Sequence, residues 1–402
     1  MDDPRNRATA LDDADPLAPY RERFLPADGV TAYFDGNSLG RPLRSTADRL
    51  ATFVADEWAG RLIRGWDEGW VELPVIVGDE LAAGALGAAP GQTIVADSTS
   101  VNLFKVLSAA CSLRPDRDEI VIDTTDFPTD RYLVEAVADQ RDMRVRWLEP
   151  DLVESVTIDA LADLLGKRTA VVVLSHVNYR SGTILDVPGI TAQVHAAGGL
   201  MIWDLCHSAG VLPIGLDADG VDFAVGCTYK YLNSGPGAPA FLYVAERHVR
   251  EVVQPVPGWF GAANLFAMAD IYTAAPDIRR MLSGTPNIMG IVAVREGARL
   301  VAEAGVDAIR AKSVALTEFL LELIDQLDVP VLSPRAVERR GSHVTIQVPD
   351  AAGVAQRLGA AGVIPDVRNP DLLRLGLSPL STSFTEVHDG WAVLADVLAD
   401  DH

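Results

Sequence analysis

The chain has 402 residues, with 34 Lys and Arg against 56 Asp and Glu, a formal charge of −22. A hydrophobic share of 49% with 22% charged residues excludes bulk disorder. The acidic balance leaves no basic surplus to displace counterions, so neither nucleic acid nor an anionic membrane is an expected partner.

The N-terminus, Met1 to Arg7, is polar and has no apolar core, so no secretory signal is visible. No apolar run reaches the roughly 18 residues of a membrane span. Cys111, Cys206 and Cys227 are too few for a disulfide framework, and a reducing cytoplasm is expected. The first thirty residues, acidic and Pro-containing, read as a frayed or linker-like start.

From about residue 85 a βα alternation sets in. Thr93–Asp97 reads as a strand and Val101–Ser112 as a helix. Glu119–Asp123 is a strand, Asp130–Asp139 a helix and Met143–Leu148 a strand. Asp159–Leu165 is a helix and Ala170–Leu174 a buried strand. Ile190–Ala197 is a helix and Leu200–Asp204 a strand. Asp222–Val225 and Ala240–Val244 are short apolar strands. This alternation predicts an α/β fold with a mostly parallel sheet covered on both faces. After Gly290 a long helical stretch, 291–326, breaks near Gly305. His343–Val348, a helix over 351–360, Leu372–Leu377 and a helix at Phe384–Ala399 complete a smaller α+β domain.

Ligands of open α/β sheets bind beyond the carboxyl ends of the strands. Those ends carry Ser98-Thr99-Ser100, Phe127-Pro128-Thr129-Asp130, Ser175-His176-Val177-Asn178, Asp204-Leu205-Cys206-His207 and Tyr229-Lys230. One cleft is expected. Only four basic residues are lysines: Lys105, Lys167, Lys230 and Lys312. Lys167 and Lys312 read as solvated. Lys105 reads as packed along its stem with its head in water. Lys230 stands in an otherwise uncharged, turn-rich loop, where desolvation makes an amine nucleophilic. It is either a Schiff-base lysine or one satisfied by loop carbonyls.

Asp204 ends an apolar strand, where a carboxylate needs a cationic partner. The pyridine nitrogen of pyridoxal 5'-phosphate is a suitable one; a helix-capping aspartate is the alternative. Ser98 to Asn102 offers hydroxyls and a helix N-terminus for a phosphate, although Ser and Thr are also ordinary caps. No C-x-x-C or H-x3-H spacing is present, so no metal is expected. His195, His248, His343 and His388 read as solvated or capping. Trp58, Trp66 and Trp70 read as core or interface anchors, with Trp58 able to line a substrate mouth.

Together, in order, these residues resemble kynureninase, a pyridoxal phosphate hydrolase of fold type I, from about Phe34 to Leu380. The matching blocks are Phe34-Asp35-Gly36-Asn37-Ser38-Leu39-Gly40, Thr99 to Lys105, Phe127 to Asp130 and Ser175 to Gly182. Asp204 to Gly210, Gly226 to Leu232, Gly258-Trp259-Phe260-Gly261 and Arg374-Leu375-Gly376 follow. The resemblance implies a segment 1–60 packing with the small domain, a cofactor domain 61–300 and a small domain 301–402. Lys230 would bind the cofactor aldehyde and shuttle the α-proton. Asp204 would meet the pyridine nitrogen with Asp130 nearby, and Phe127 would stack on the ring. Thr99, Ser100 and Tyr229 would bind phosphate, with Tyr229 also relaying a proton. His207 would brace the site, and Ser175 is a further cofactor contact. Trp259 and Thr285 would reach the phosphate across a homodimer interface with shared active sites. Arg374 would fork onto the substrate α-carboxylate, with Asn37 and Ser38 beside it.

The implied reaction is hydrolysis of the Cβ–Cγ bond of L-kynurenine to anthranilate and L-alanine, in tryptophan catabolism and NAD biosynthesis. Two positions depart from the family pattern. Ala262 stands where His follows Trp-Phe-Gly, and Ser381 where Tyr follows Pro-Leu. Both fall on the substrate side, which leaves substituted kynurenines, or β-lyase, desulfurase or aminotransferase chemistry, as alternatives.

Overall fold

The computed structural model describes residues 3–399. Its centre is a seven-stranded sheet of β1 (Thr93–Val95), β2 (Glu119–Asp123), β3 (Arg144–Leu148), β4 (Thr169–Ser175), β5 (Leu200–Asp204), β6 (Phe223–Gly226) and β7 (Phe241–Val244). The spatial order is β1-β7-β6-β5-β4-β2-β3. Only β7 runs antiparallel to its neighbours. Every residue of β4, β5 and β6 is buried, as expected of strands covered on both faces. Two apolar clusters, one containing Val172, Met201 and Trp203, the other Val171, Ile202 and Phe223, fill the two sides.

The α/β expectation holds, with small shifts at element ends. The helix after β1 runs Thr99–Ser112 and starts at an Ser98 cap whose side chain accepts from Val101 N at 3.4 Å. The predicted break at Gly305 divides helices Ile288–Ala304 and Val306–Ile324. Beyond them, β8 (His343–Gln347), β9 (Asp366–Arg368) and β10 (Leu372–Gly376) form an antiparallel sheet in the order β9-β10-β8. Helix Phe384–Ala399 and a third apolar cluster cover it, with Phe319, Val344 and Leu373 inside.

Residues 3–30 are not linker-like. Pro4–Asp13 is a helix capped by Asp3, followed by the 3-10 turn Ala18–Arg23. What orders them is distant in sequence. Asp12 accepts from the amides of Phe384 and Thr385 at 2.9 and 3.0 Å. Asp15 pairs with Lys312 Nζ at 2.7 Å. Ala8 and Phe34 enter the cluster of the small sheet, whereas Leu17, Phe24 and Phe53 enter that of the large one.

Candidate active site

The parallel strands deliver their carboxyl ends to one edge of the large sheet. Ser175 and Asp204 are paired neighbours at the ends of β4 and β5. Asp204 Oδ1 accepts from Cys206 N at 2.7 Å. This bond closes a turn, and no helix follows that Asp204 could cap. Among the described residues, no cationic side chain pairs with this buried carboxylate.

Two further acids crowd it. Asp130 and Asp126 are both buried, and each has an Oδ2 without a hydrogen-bond partner. Asp126 Oδ1 accepts from Ser175 N at 3.2 Å. Burial, and then the neighbouring Asp204, push the Asp130 carboxyl well above the usual carboxylate range. Burial, and then Asp123, do the same to Asp126. Protonated neighbours next to Asp204 are the expected result of like charges sharing a dry site. Asp126 was missed in the sequence, although it lies one residue before Phe127.

Lys230 follows β6 by four residues and is half-buried. Its Nζ lies 3.3 Å from His207 Nε2. The loop is fixed from outside: Tyr229 O accepts from Gly40 N at 2.8 Å. A Cβ at Gly40 would stand 2.3 Å from Lys230 O, so only glycine fits there. This places the Asn37–Gly40 turn against the lysine loop. Burial, and then Lys230, hold the His207 imidazole well below its ordinary pKa and therefore neutral. Burial drives the Tyr229 phenol upward.

The remaining lysines separate from Lys230 differently than expected. Lys167 is exposed. Lys312 is buried on Asp15 rather than solvated. Lys105 is fully buried rather than wet at its head. Its Nζ donates to Asp97 Oδ2 at 2.6 Å and to Met281 O at 2.9 Å. Lys312 has an ion pair, and Lys105 a carbonyl contact, with residues distant in sequence that local sequence does not display.

Thr99 and Ser100 lie in the first turn of the helix after β1, with Thr99 Oγ1 3.8 Å from Cys206 Sγ. Phe127 is partly exposed and meets Tyr179 edge-on at 5.3 Å. Arg374, on β10, is fully buried. Its Nη2 donates to Ser38 Oγ at 3.0 Å, its Nη1 to the Tyr179 carbonyl, and its Nε to Asp366 at 2.6 Å. Asn37 is buried, and neither atom of its amide has a partner.

Among the described residues, no contact brings Trp259 or Thr285 to Lys230. Thr285 is exposed and lines a cavity of about 350 Å³ with Asp97 and Ser98. Trp259 packs edge-on against Phe260 at 4.6 Å. Around it Phe266, Met268, Ile271 and Tyr272 are exposed. His343 and His248 are buried, contrary to a solvated or capping role. His248 bonds to Asp222 at 2.8 Å. His343 lies beside His207, ring centroids 6.0 Å apart, because its strand β8 packs next to Arg374.

This fold defines a class-V aminotransferase, and that family's model matches residues 80–364. Among solved structures, the apo cysteine desulfurase from Thermococcus onnurineus NA1 superimposes with a TM-score of 0.85 at 19% identity, covering 95% of this chain and 98% of that one. A C-DES variant with glycine covalently linked to the PLP cofactor superimposes at 0.83 and 20%, covering 94% and 99%. These similarities concern the fold. In sequence, the kynureninase of Pseudomonas fluorescens is 43% identical over 98% of this chain and 95% of its own length. That of Burkholderia pseudomallei (strain K96243) is 42% identical with the same coverage. The chain belongs to the kynureninase family.

Proposed function

We propose that this protein is a pyridoxal-phosphate-dependent hydrolase that cleaves the Cβ–Cγ bond of L-kynurenine, or of a substituted kynurenine, to an anthranilate-type acid and L-alanine. The observation that carries this reading is the 43% identity to a kynureninase across 98% of the chain.

The residues present fit the cofactor. A half-buried amine, Lys230, stands in an uncharged loop. Among the described residues a buried carboxylate, Asp204, has no cationic partner and lies beside acids with unpartnered oxygens. A 14-residue helix opens with hydroxyls at the same sheet edge. When bound, pyridoxal phosphate supplies an electron sink for the pair left at the α-carbon.

The chain's own groups do the rest. Lys230 holds the cofactor and moves the α-proton. His207, neutral and 3.3 Å from Nζ, accepts a hydrogen bond from that amine. Asp204, with Asp130 beside it, anchors the ring nitrogen, and Phe127 covers the ring face. Ser175 is a further contact. Thr99, Ser100 and Tyr229 hold the phosphate. The Tyr229 phenol, kept protonated by burial, carries a proton for the γ-carbonyl side. Arg374 and Ser38 receive the substrate α-carboxylate, with Asn37 beside them. Water adds to the γ-carbonyl carbon. The Cβ–Cγ bond then breaks, oxygen stays on the aryl acid and the proton goes to Cβ.

We also divide the chain at residues 60 and 300 and infer a cytoplasmic homodimer. No helix among the described residues is long and apolar enough to cross a membrane. The exposed apolar residues around Trp259 offer a second copy a face to cover. Trp259 and Thr285 would then serve the partner's phosphate site. The desulfurase alternative needs a mobile cysteine, and all three cysteines are buried.

The test is incubation of the purified protein with L-kynurenine and 3-hydroxy-L-kynurenine. An aryl acid plus alanine in equal amounts is the expected result. Neither product with either substrate overturns the reading.

A further inference from the structure

Two of the three thiols meet at the floor of the cleft. Asp204, at the end of β5, is the register partner of Val225 on β6. Cys206 and Cys227 each stand two residues further on, so they face one another beyond the strand ends. Cys227 N donates to Cys206 Sγ at 3.1 Å, and Cys227 Sγ lies 3.8 Å from the Cys206 carbonyl oxygen. Adjacent strands run about 4.8 Å apart, inside the Cα separation of about 4.4–6.8 Å that a disulfide spans. Cys111 stands apart, on the helix Thr99–Ser112 in the apolar cluster of Val171, Ile202 and Phe223.

The pair is tied to the site on both sides. Cys206 N donates to Asp204 Oδ1 at 2.7 Å, and Cys206 Sγ lies 3.8 Å from Thr99 Oγ1. Cys227 opens the loop that carries Tyr229 and Lys230. The two thiols are also unequal. Burial raises the Cys227 thiol, but a hydrogen bond from Cys206, and then Lys230, outweigh it and leave Cys227 below its ordinary value. Donating that bond, and then burial, push Cys206 well above. One sulfur is set to attack and the other to resolve. The residues are 8% and 2% exposed, so only a reagent small enough to enter the cleft reaches them.

We propose that Cys206 and Cys227 are a reversible modification site, closed to a disulfide by hydroperoxides, and that closure disables the site built around them. The Cys227 sulfur attacks one peroxide oxygen. The O–O bond breaks, and the leaving hydroxide takes the thiol proton and departs as water. Cys206 then attacks the sulfur of the sulfenic acid so formed. The S–O bond breaks, and a second water leaves with the Cys206 proton. Two thiols are oxidised and one peroxide is reduced to two waters. Closure brings the sulfurs to about 2.05 Å and draws the Asp204 turn and the lysine loop together. A displacement of about 1 Å in either is enough for a roughly hundredfold loss of rate. The disulfide site stands apart from the cofactor reading above, and its effect on activity rests on that reading.

The experiment treats the full-length holoenzyme with hydrogen peroxide, removes the peroxide and divides the sample, with and without dithiothreitol. Free thiols are counted by alkylation in denaturant, and linked peptides are identified by mass. Kynurenine cleavage and visible absorbance are recorded alongside. Wild type is expected to keep one free thiol of its three, to yield a linked Cys206–Cys227 peptide pair, and to lose activity roughly a hundredfold until dithiothreitol restores it. Cys227→Ala, which lacks the attacking sulfur, is expected to keep both remaining thiols and its own starting activity. Cys111→Ala is expected to respond as wild type does. Three free thiols, a bond to Cys111 or to a second chain, or overoxidation that dithiothreitol cannot reverse overturns the proposal. So does an equal, reversible loss in Cys227→Ala. A Cys206–Cys227 bond with unchanged activity overturns the link to function. If a variant fails to fold, the wild-type peptide map still decides. A chain that forms the bond but shows neither visible absorbance nor cleavage before treatment sinks the cofactor reading and leaves the disulfide site standing.

Discussion

Asp366 already occupies the guanidinium of Arg374. Nε donates to Asp366 Oδ2 at 2.6 Å, and Nη2 bonds the same oxygen. Arg368 Nη2 stands 3.0 Å from that oxygen as well. β9 and β10 create this arrangement, since Asp366 is the register partner of Arg374. A buried arginine without a counter-charge is costly, and the acid both pairs it and fixes its plane.

Arg374→Lys is therefore expected to raise KM for the amino-acid substrate by about a hundredfold, because an ammonium cannot hold two acceptors in one plane. Asp366→Asn should raise KM by roughly tenfold with a smaller change in kcat, since the fork stays but loses its orientation. Steady-state kinetics on both variants checks this. Unchanged KM in Arg374→Lys would remove it from the carboxylate site.

Three buried imidazoles make the fold sensitive to acid. Burial, and then Arg310, lower His176 from its usual 6.5 to about 4. Burial, and then Lys230, hold His207 well below its ordinary value. Burial, and then Arg374, do so for His343. The unfolded chain takes up protons below about pH 6.5 while the folded chain does not, so stability falls with falling pH in that window. For His176 alone the loss by pH 4 is about 3 kcal/mol. Asp126 and Asp130, with raised values, act oppositely. The expectation is a lower Tm at pH 5 than at pH 7.5, with a smaller drop in His176→Phe. An equal drop in that variant would show that the protons are taken up elsewhere.

The elements most legible in the sequence were the strands buried on both faces. Val171 to Leu174 and Leu200 to Trp203 are unbroken apolar runs, and such runs locate themselves. Lys230 and Asp204 were legible because each breaks a local rule, a charge set in an apolar or uncharged stretch. Partnerships across the chain were not. The helix Pro4–Asp13 is ordered by Asp12 on Phe384 and Thr385. Lys105 needs Met281, and Lys312 needs Asp15. Asp366 carries no local signal, and only the pairing of β9 with β10 brings it to Arg374. His343 reads as solvated or capping until its strand packs beside His207.

Asp222 holds four partners at the base of β6. Oδ2 accepts from Met201 N at 2.8 Å and meets His195 Nε2 at 2.7 Å. Oδ1 meets Arg247 Nη2 at 2.6 Å and His248 Nε2 at 2.8 Å. Burial raises its pKa, but these hydrogen bonds prevail, led by His195, and the carboxyl ends well below the usual range. Asp222→Ala should cost about 3–5 kcal/mol, since it strands buried donors. Asp118→Ala, which breaks the exposed pair with Arg168, should leave the midpoint nearly unchanged. Urea unfolding of both variants compares them. Similar midpoints would mean that Asp222 is not a clamp.

Gly297 ties the stability of the large core to the position of Lys230. It lies mid-helix in Ile288–Ala304, and a Cβ there would fall 1.8 Å from the Leu232 carbonyl oxygen. Leu232 is two residues beyond Lys230, and Asn233 N donates to Lys230 O at 2.9 Å. Backbone cannot yield as a side-chain tip can, so either the helix or the lysine loop must move. Gly297→Ala is expected to lower stability by about 2–4 kcal/mol and to weaken cofactor retention at the same time. Gly359 provides the contrast. It is also helical, and a Cβ there meets nothing within 4 Å. Gly359→Ala should therefore gain up to about 1 kcal/mol from helix propensity and leave the site untouched. Thermal unfolding together with visible absorbance after gel filtration reads both effects. Gly297→Ala with wild-type Tm and full cofactor retention would show that the helix and the lysine loop are not in rigid contact.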